Sequence, residues 1–170
     1  MEKRIVRTAD LSRADVVVEL GPGTGGTTRA LLRQMKSRGR LLAIELNPDF
    51  AKLIEESVRD PRLIVHHGSA AAIPEALDQY GLGSPDVILS GIPFSTMNEN
   101  LGLAILRSVH DSLAPGGRFV AYQFRDRVET LGRDVFGQAH VQREVLNIPP
   151  MRVYSWNKTH PTSLGEPVLA

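Results

Sequence analysis

The sequence predicts an α/β protein in which helices cover a mainly parallel sheet, and three observations carry that expectation. Short apolar runs rich in β-branched residues alternate with longer stretches of helical period, the pattern left by repeated strand–helix units. A glycine-rich turn, Gly21-Pro22-Gly23-Thr24-Gly25, directly follows the first of these runs. Near the end of the chain two strand-like runs are separated by Pro149-Pro150, which suggests an antiparallel pair at the sheet edge.

Val16-Val17-Val18-Glu19-Leu20 reads as the first strand. From Thr27 to Met35 the spacing is helical, with Leu31 and Leu32 inward and Arg29 and Arg33 outward, and Gly39 ends the segment. A second strand runs from Leu41 to Leu46. Asn47-Pro48-Asp49 then opens a helix, the asparagine serving as cap and the proline tolerated in the first turn, with Phe50, Leu53 and Ile54 on its apolar face. Leu63-Ile64-Val65-His66-His67 is the third strand and Asp86-Val87-Ile88-Leu89-Ser90 the fourth, each followed by a helix.

The helix before the fifth strand, Leu101 to Leu113, is closed by Ala114-Pro115-Gly116-Gly117. Arg118 to Phe124 forms that strand. A polar helical stretch follows from Asp126 to Phe136, and Gln142 to Ile148 and Met151 to Trp156 make the antiparallel pair. The segment from Thr159 to Ala170 has little apolar content and is expected to be irregular. This divides the chain into one domain over 1–158 and a tail over 159–170.

Composition narrows the class. A chain of 170 residues with 42% hydrophobic content builds one sizeable core. The balance of 20 Lys+Arg against 19 Asp+Glu gives no global field that points to nucleic acid or an anionic membrane. With no cysteine there is no disulfide, thiolate metal site or cysteine nucleophile, and the histidines and acids show no metal-ligand spacing, so no metal is expected. Met1 to Arg7 lacks the apolar core of a signal peptide, and every apolar run falls short of the ~18 residues a membrane span needs. A cytoplasmic protein is expected, with any membrane contact peripheral and at the inner face.

Strand, glycine loop and helix at the start of an α/β sheet place backbone N–H groups beside the crevice where such folds bind ligands. The letters also satisfy G-x-G-x-x-G at Gly21, Gly23 and Gly26, which alone leaves a dinucleotide open. Glu45 ends the second strand ~20 residues further on, where a carboxylate accepts hydrogen bonds from the hydroxyls of an adenosine ribose. Glu19, immediately before the loop, favours a ligand carrying an ammonium group, because a carboxylate there repels a pyrophosphate.

Val17-Val18-Glu19-Leu20-Gly21-Pro22-Gly23-Thr24-Gly25, Glu45-Leu46-Asn47-Pro48, Ser90-Gly91-Ile92-Pro93-Phe94 and Leu113-Ala114-Pro115-Gly116-Gly117 resemble, in order and spacing, the motifs of class I methyltransferases. Within that superfamily the chain is most similar to bacterial phospholipid N-methyltransferases, which methylate phosphatidylethanolamine. The Ser-Gly-Ile-Pro-Phe segment and Asn147-Ile148-Pro149-Pro150-Met151-Arg152-Val153-Tyr154 carry that narrower likeness. The resemblance implies a Rossmann-like, seven-stranded, mostly parallel sheet with helices on both faces and an antiparallel C-terminal strand. It implies S-adenosyl-L-methionine as cofactor and S-adenosyl-L-homocysteine as product. Glu19 would lie near the methionine amino group and Glu45 on the ribose, with Gly21, Gly23, Thr24, Gly25, Leu46 and Ser90 lining the cofactor. Gly68-Ser69-Ala70 falls where many relatives place an aspartate against the adenine, yet here that residue is Ser69.

Methyl transfer is an in-line displacement at a sulfonium, so the protein must chiefly hold a nucleophile and exclude water, and no general base is identified. Gly91, Ile92, Pro93 and Phe94 leave the fourth strand facing the expected acceptor. The Phe94 ring is a candidate for cation–π attraction to the sulfonium or to a methylated ammonium, worth ~0.5–2 kcal/mol. Tyr122, on the fifth strand, is a candidate to bond a phosphate or orient an amine. The expected partner is the amine of a lipid head group at a membrane surface. Ribosomal-RNA adenine dimethyltransferases carry a similar loop with asparagine where this chain has Gly91, and glycine cannot supply the amide bonds that select a base edge, so nucleic acid is the less favoured partner. A catalytically silent cofactor-binding module is the third reading. Two basic stretches are candidates for membrane contact: Arg29, Arg33, Lys36 and Arg38, and Arg125, Arg127 and Arg133 interleaved with Val128, Leu131, Val135 and Phe136.

Overall fold

The computed structural model describes residues 2–144 and 151–159. Strands β1 (Val16–Leu20), β2 (Arg40–Glu45), β3 (Leu63–His67), β4 (Val87–Ser90), β5 (Arg118–Gln123), β6 (His140–Glu144) and β7 (Met151–Asn157) form one sheet in the order β3-β2-β1-β4-β5-β7-β6. From β3 through β5 all neighbours are parallel; β7 runs antiparallel to both β5 and β6. The expected antiparallel pair is therefore present, with β7 inserted between β5 and β6 and β6 on the outside. Residues 145–150, which include the Pro149-Pro150 turn and most of the likeness-bearing Asn147–Pro150 segment, lie outside the described residues, as do residues 160–170.

Helices α1 (Glu2–Ala9), α2 (Gly26–Gln34), α3 (Pro48–Ser57), α4 (Ile73–Gln79), α5 (Glu99–Ser112) and α6 (Arg127–Phe136) divide between the two faces. Side chains of a strand alternate between faces, so each parallel strand feeds two cores. Val17, Leu41, Val87, Leu89 and Val120 pack with Ile5, Val6 and Ala9 of α1 and Leu31 and Leu32 of α2. Val18, Leu20, Leu42, Ile44, Ile88 and Phe119 pack with Ile73, Leu106, Val109 and Val128 from α4, α5 and α6.

Helix α1 has no counterpart in the sequence reading. It is short, and its buried stripe of Ile5, Val6 and Ala9 amounts to two turns. Its end is held from outside: Asp10 takes a left-handed conformation (φ 50°), and the Arg118 guanidinium donates to the Thr8 carbonyl at 2.8 Å. The expected apolar face of α3 is corrected. Ala51 and Ile54 face inward, while Phe50 and Leu53 are 38% and 41% exposed. Small Ala51 lets the helix lie close to the sheet, and Ile54 then packs toward Gly25, rotating the Phe50 side outward. Asn47 caps α3 as expected, its side chain accepting from Asp49 N at 2.9 Å.

At the far end an aromatic group fixes α6. Trp156 stacks on Phe119 (5.3 Å between centroids) and on Tyr154 (6.1 Å), and Phe136 of α6 stacks on Phe119 (5.4 Å). The Trp156 indole donates to the Gly137 carbonyl at 3.1 Å.

Candidate functional site

The strand order reverses between β1 and β4, the position at which open α/β sheets bind ligands at the C-terminal ends of their strands. In the register, Leu20 faces Ser90; Gly91 N donates to Leu20 O at 3.0 Å and Gly21 N to Ile44 O at 2.9 Å. The glycine loop and the Ser90–Phe94 loop thus begin side by side. A Cβ on Gly21, which has φ +68°, would sit 2.9 Å from Ile92 Cγ1, so the two loops meet only because that position is glycine. Gly23 and Gly25 also have positive φ, and at Gly23 a Cβ would meet nothing within 4 Å, leaving open space over the loop. Thr24 is exposed at the tip, its carbonyl held by Arg29 Nη1 at 3.1 Å.

Glu19 shares the α2 face of the sheet with Val17 and is fully buried. Its Oε2 accepts from Thr28 Oγ1 at 2.7 Å, and its Oε1 is buried without a partner among the described residues. Burial pushes its carboxyl up to about 7, the Thr28 bond opposes the shift, and the negative charge of Glu45 adds to it. A buried carboxylate oxygen with no donor is costly unless a ligand supplies one, and a cation is the donor that also relieves the charge. Glu45 is 7% exposed; it accepts from Gly23 N at 3.0 Å and Asn47 N at 2.9 Å, tying the glycine loop to the end of β2.

Leu46 follows β2 and is 71% exposed. Neighbouring β3 ends in register with it, since Glu45 faces His67, and Gly68 N donates to Glu45 O at 3.0 Å. Leu46 and Gly68-Ser69-Ala70 therefore leave adjacent strand ends next to Glu45. Ser69 Oγ accepts from Ala71 N at 3.2 Å and caps the short 3-10 turn of Ala70–Ala72. That is the local reason a small hydroxyl stands here. His66 folds over Gly68 and its ring lies edge-on to Tyr80 (5.8 Å), a packing role.

On the β4 side the structure separates residues that the sequence reading grouped. Ser90 is buried, and its Oγ accepts from Ile92 N at 3.3 Å. Gly91 and Ile92 are partly exposed and Pro93 is exposed. Phe94, expected to offer its ring to the acceptor, is 0% exposed and packs in the core with Leu131 and the α5 glycine Gly102. The turn Phe94–Thr96 drives the ring down between α5 and α6, so it presents no face to a ligand. Tyr122 does reach the crevice: its hydroxyl lies over the Cα of Gly91, with Cζ 2.8 Å from where a Cβ would stand, and 3.4 Å from Thr27 Oγ1 at the start of α2.

Gln123 is a site-forming residue that the sequence reading missed. It is 4% exposed; its Nε2 donates to Ile92 O at 2.6 Å and its Oε1 accepts from Phe94 N at 3.3 Å, so one amide fixes both sides of Pro93. Its only sequence signal is a glutamine near the end of the strand-like run Arg118 to Phe124. Neither basic stretch keeps its expected form. Arg29 is spent on Thr24, Gly25 and Ser57, and Lys36 and Arg38 pair with Asp15 at 2.7 and 3.5 Å. In α6, Val128 and Leu131 face the core and Phe136 stacks on Phe119, while Arg127 pairs with Glu99 at 2.9 Å. Among the described residues no group of acids and histidines fits a metal ion, and no helix is long and apolar enough to cross a membrane.

This sheet order, with a glycine loop after β1, a carboxylate ending β2 and the crevice between β1 and β4, defines a Rossmann-like nucleoside-cofactor fold. The particular family follows from comparison. Residues 17–117 match the methyltransferase domain family, and the chain belongs to it. It is 30% identical over 156 residues to the ornithine lipid N-methyltransferase of Singulisphaera acidiphila, an alignment covering 91% of this chain and 81% of that one. It is 31% identical over 160 residues to the ribosomal RNA small subunit methyltransferase A of Phenylobacterium zucineum, covering 86% of this chain but 52% of the relative, so it spans about half of that enzyme. The N-methyltransferase NodS from Bradyrhizobium japonicum superposes with a TM-score of 0.77 at 14% identity, over 94% of both chains. Its complex with S-adenosyl-L-homocysteine gives 0.73 at 15% identity, over 92% of this chain and 85% of that one. The chain is an S-adenosylmethionine-dependent methyltransferase, with S-adenosylmethionine as its cofactor.

Proposed function

We propose that the chain transfers a methyl group from S-adenosylmethionine to the amine of an amino-lipid head group, acting as an N-methyltransferase at a membrane surface. The observation that carries this reading is the Gly91–Tyr122 pair. Ribosomal-RNA adenine dimethyltransferases hold the base with an asparagine at the Gly91 position, and here the Tyr122 hydroxyl fills the volume such a side chain would need. Glycine supplies no amide to hold a base edge, and the Tyr122 hydroxyl is an acceptor for an amine N–H. The 30% identity to an ornithine lipid N-methyltransferase supports the same substrate class.

When bound, the cofactor would supply an electrophilic methyl on a sulfonium to the lone pair of an unprotonated amine, the C–S bond breaking with its electron pair left on sulfur and the N–H proton of the product ammonium passing to solvent. The chain's own residues bind and orient. Glu19 Oε1 takes the methionine ammonium, and Gly21, Gly23, Thr24 and Gly25 run along the donor. Glu45 accepts from the ribose, with Leu46, Gly68, Ser69 and Ala70 flanking the adenine. Ser90 shapes the crevice floor beneath the cofactor. Gly91, Ile92 and Pro93 border the acceptor, whose amine Tyr122 orients. Gln123 keeps that border rigid.

The 31% identity to a ribosomal RNA methyltransferase motivates RNA adenine as the second reading. Labelled cofactor, offered with vesicles of phosphatidylethanolamine or ornithine lipid and separately with ribosomal RNA, distinguishes the two. Label in lipid is the expected result, and label in RNA alone rejects the proposal. Cofactor binding with no label in either would mark a silent binding module.

A further inference from the structure

Thr28 lies near the start of α2 and is fully buried, its hydroxyl donating to Glu19 Oε2 at 2.7 Å. A threonine hydroxyl in a helix commonly returns to the backbone carbonyl three or four residues back. For Thr28 those carbonyls belong to Gly25 and Thr24, and Arg29 occupies both. Arg29 Nη1 donates to Thr24 O at 3.1 Å and to Gly25 O at 3.0 Å, and the Arg29 backbone N–H donates to Gly25 O at 3.1 Å. The guanidinium is itself braced on α3, where Nη2 donates to Ser57 Oγ at 2.8 Å. The Thr28 proton is thereby directed across to β1.

Glu19 depends on that proton. In register it lies beside Ala43 of β2 and Leu89 of β4, whose side chains carry no donor. Among the described residues the charged group that acts on it is Glu45, whose sign opposes ionisation. A hydroxyl donating to a carboxylate favours its charged form, and a charge-assisted bond of this length is among the stronger ones. With Oε2 held by Thr28, the buried and unpartnered Oε1 is the oxygen left for a ligand.

We propose that Thr28 is a positioning residue for the donor: it pins Glu19 Oε2 so that Oε1 alone meets the ligand, and it thereby sets the preference for ligands that carry an ammonium. The inference rests on the assignment of Glu19 to the methionine ammonium and is independent of the acceptor. Calorimetry with two probes tests it, S-adenosylhomocysteine and 5′-methylthioadenosine, which keeps the adenosine and the sulfur but lacks the ammonium. Thr28→Val keeps the shape of the side chain and removes the donor. It should weaken S-adenosylhomocysteine about tenfold near neutral pH while 5′-methylthioadenosine changes by less than about twofold. The pH profile of S-adenosylhomocysteine affinity should move upward by about one pH unit, so that the loss shrinks in alkaline buffer. Thr28→Ser, which restores the hydroxyl, should bring back both the preference and the profile.

An equal loss for both probes at every pH would mark a packing role and overturn the proposal, as would Thr28→Ser behaving like Thr28→Val. Glu19→Gln separates the inference from its premise. If that variant binds S-adenosylhomocysteine as the unaltered chain does at every pH, the ammonium assignment falls and takes the proposal with it. If it abolishes the preference while Thr28→Val keeps the original profile, the role of Thr28 alone is rejected.

Discussion

The Tyr122 hydroxyl lies directly over the Cα of Gly91, in the volume a side chain there would need. A residue of β5 and one of the loop that leaves β4 therefore exclude one another's enlargement. Gly91→Ala is expected to destabilise the protein by about 1–3 kcal/mol, the cost of overpacking a fitted site. It should also lower kcat/KM at least tenfold while cofactor affinity is kept. In a Tyr122→Leu background the stability cost should shrink, giving a coupling of ~0.5–3 kcal/mol in a double-mutant cycle measured by urea unfolding. Additive effects would show that the two residues act independently.

Glu19 is expected to make cofactor binding depend on pH. Its carboxyl titrates at about 7 in the free protein, chiefly because it is buried. A cationic ammonium at Oε1 selects the carboxylate, so affinity for S-adenosylmethionine should rise as pH increases through about 7. Calorimetry at pH 6.5 in buffers of differing ionisation heat should show proton release on binding, absent in Glu19→Gln. For the free protein the sign is opposite. The folded state keeps a proton that the unfolded chain loses at ordinary carboxylate pH, so stability falls as pH rises from the ordinary carboxylate range toward about 7 and then levels. Glu19→Gln should flatten that slope.

Glu45 joins the glycine loop to the end of β2 through Gly23 N and Asn47 N. Glu45→Ala should weaken cofactor binding by ~1.5–3 kcal/mol, the range for hydrogen bonds to charged groups. Glu45→Gln keeps one acceptor for the loop and should lose less. Unchanged affinity in both variants would remove Glu45 from the site.

Gln123→Leu leaves Ile92 O and Phe94 N without their partner and should cost ~1–3 kcal/mol of stability. In the proposed site the freed loop borders the acceptor and not the donor, so kcat should fall at least tenfold with the cofactor Kd unchanged. A parallel loss of cofactor affinity would mean that the loop supports the donor side instead.

Trp156 is 3% exposed and stacked between Phe119 and Tyr154. Trp156→Ala should cost ~3–5 kcal/mol, measured by denaturant unfolding, since it empties a space that α6 leans on.

The parallel strands were legible because each is a run of β-branched residues interrupted by turn chemistry, and the glycine loop because its residues must take positive φ. Helix α1 was not, since Ile5, Val6 and Ala9 span too little sequence to show a period. Phe50 and Leu53 satisfied helical spacing, yet Ala51 and Ile54 won the inward side, a choice made by the sheet beneath. Phe94 and Gln123 depend on the β4–β5 register, Ser90 opposite Ala121, which brings residues about thirty positions apart into contact. No local pattern encodes such a pairing. The candidate residues of the glycine loop and of Ser90–Pro93 lie in contiguous motifs, whereas the inward turn of Phe94 and the Gln123 clamp arise from tertiary contacts.

The insertion of β7 between β5 and β6 has a consequence for biosynthesis. Tyr122 and Gln123 are flanked in register by Val153 and Arg152. The first four strands and their helices come from contiguous sequence and can pair as they leave the ribosome, N-terminal units first. The strand that backs Tyr122 and Gln123 is translated only after α6 and β6. A nascent chain that has emerged only through Glu144 lacks the strand that pairs with β5, so the β5 edge carrying Tyr122 and Gln123 gains its neighbour only when Met151–Asn157 follows.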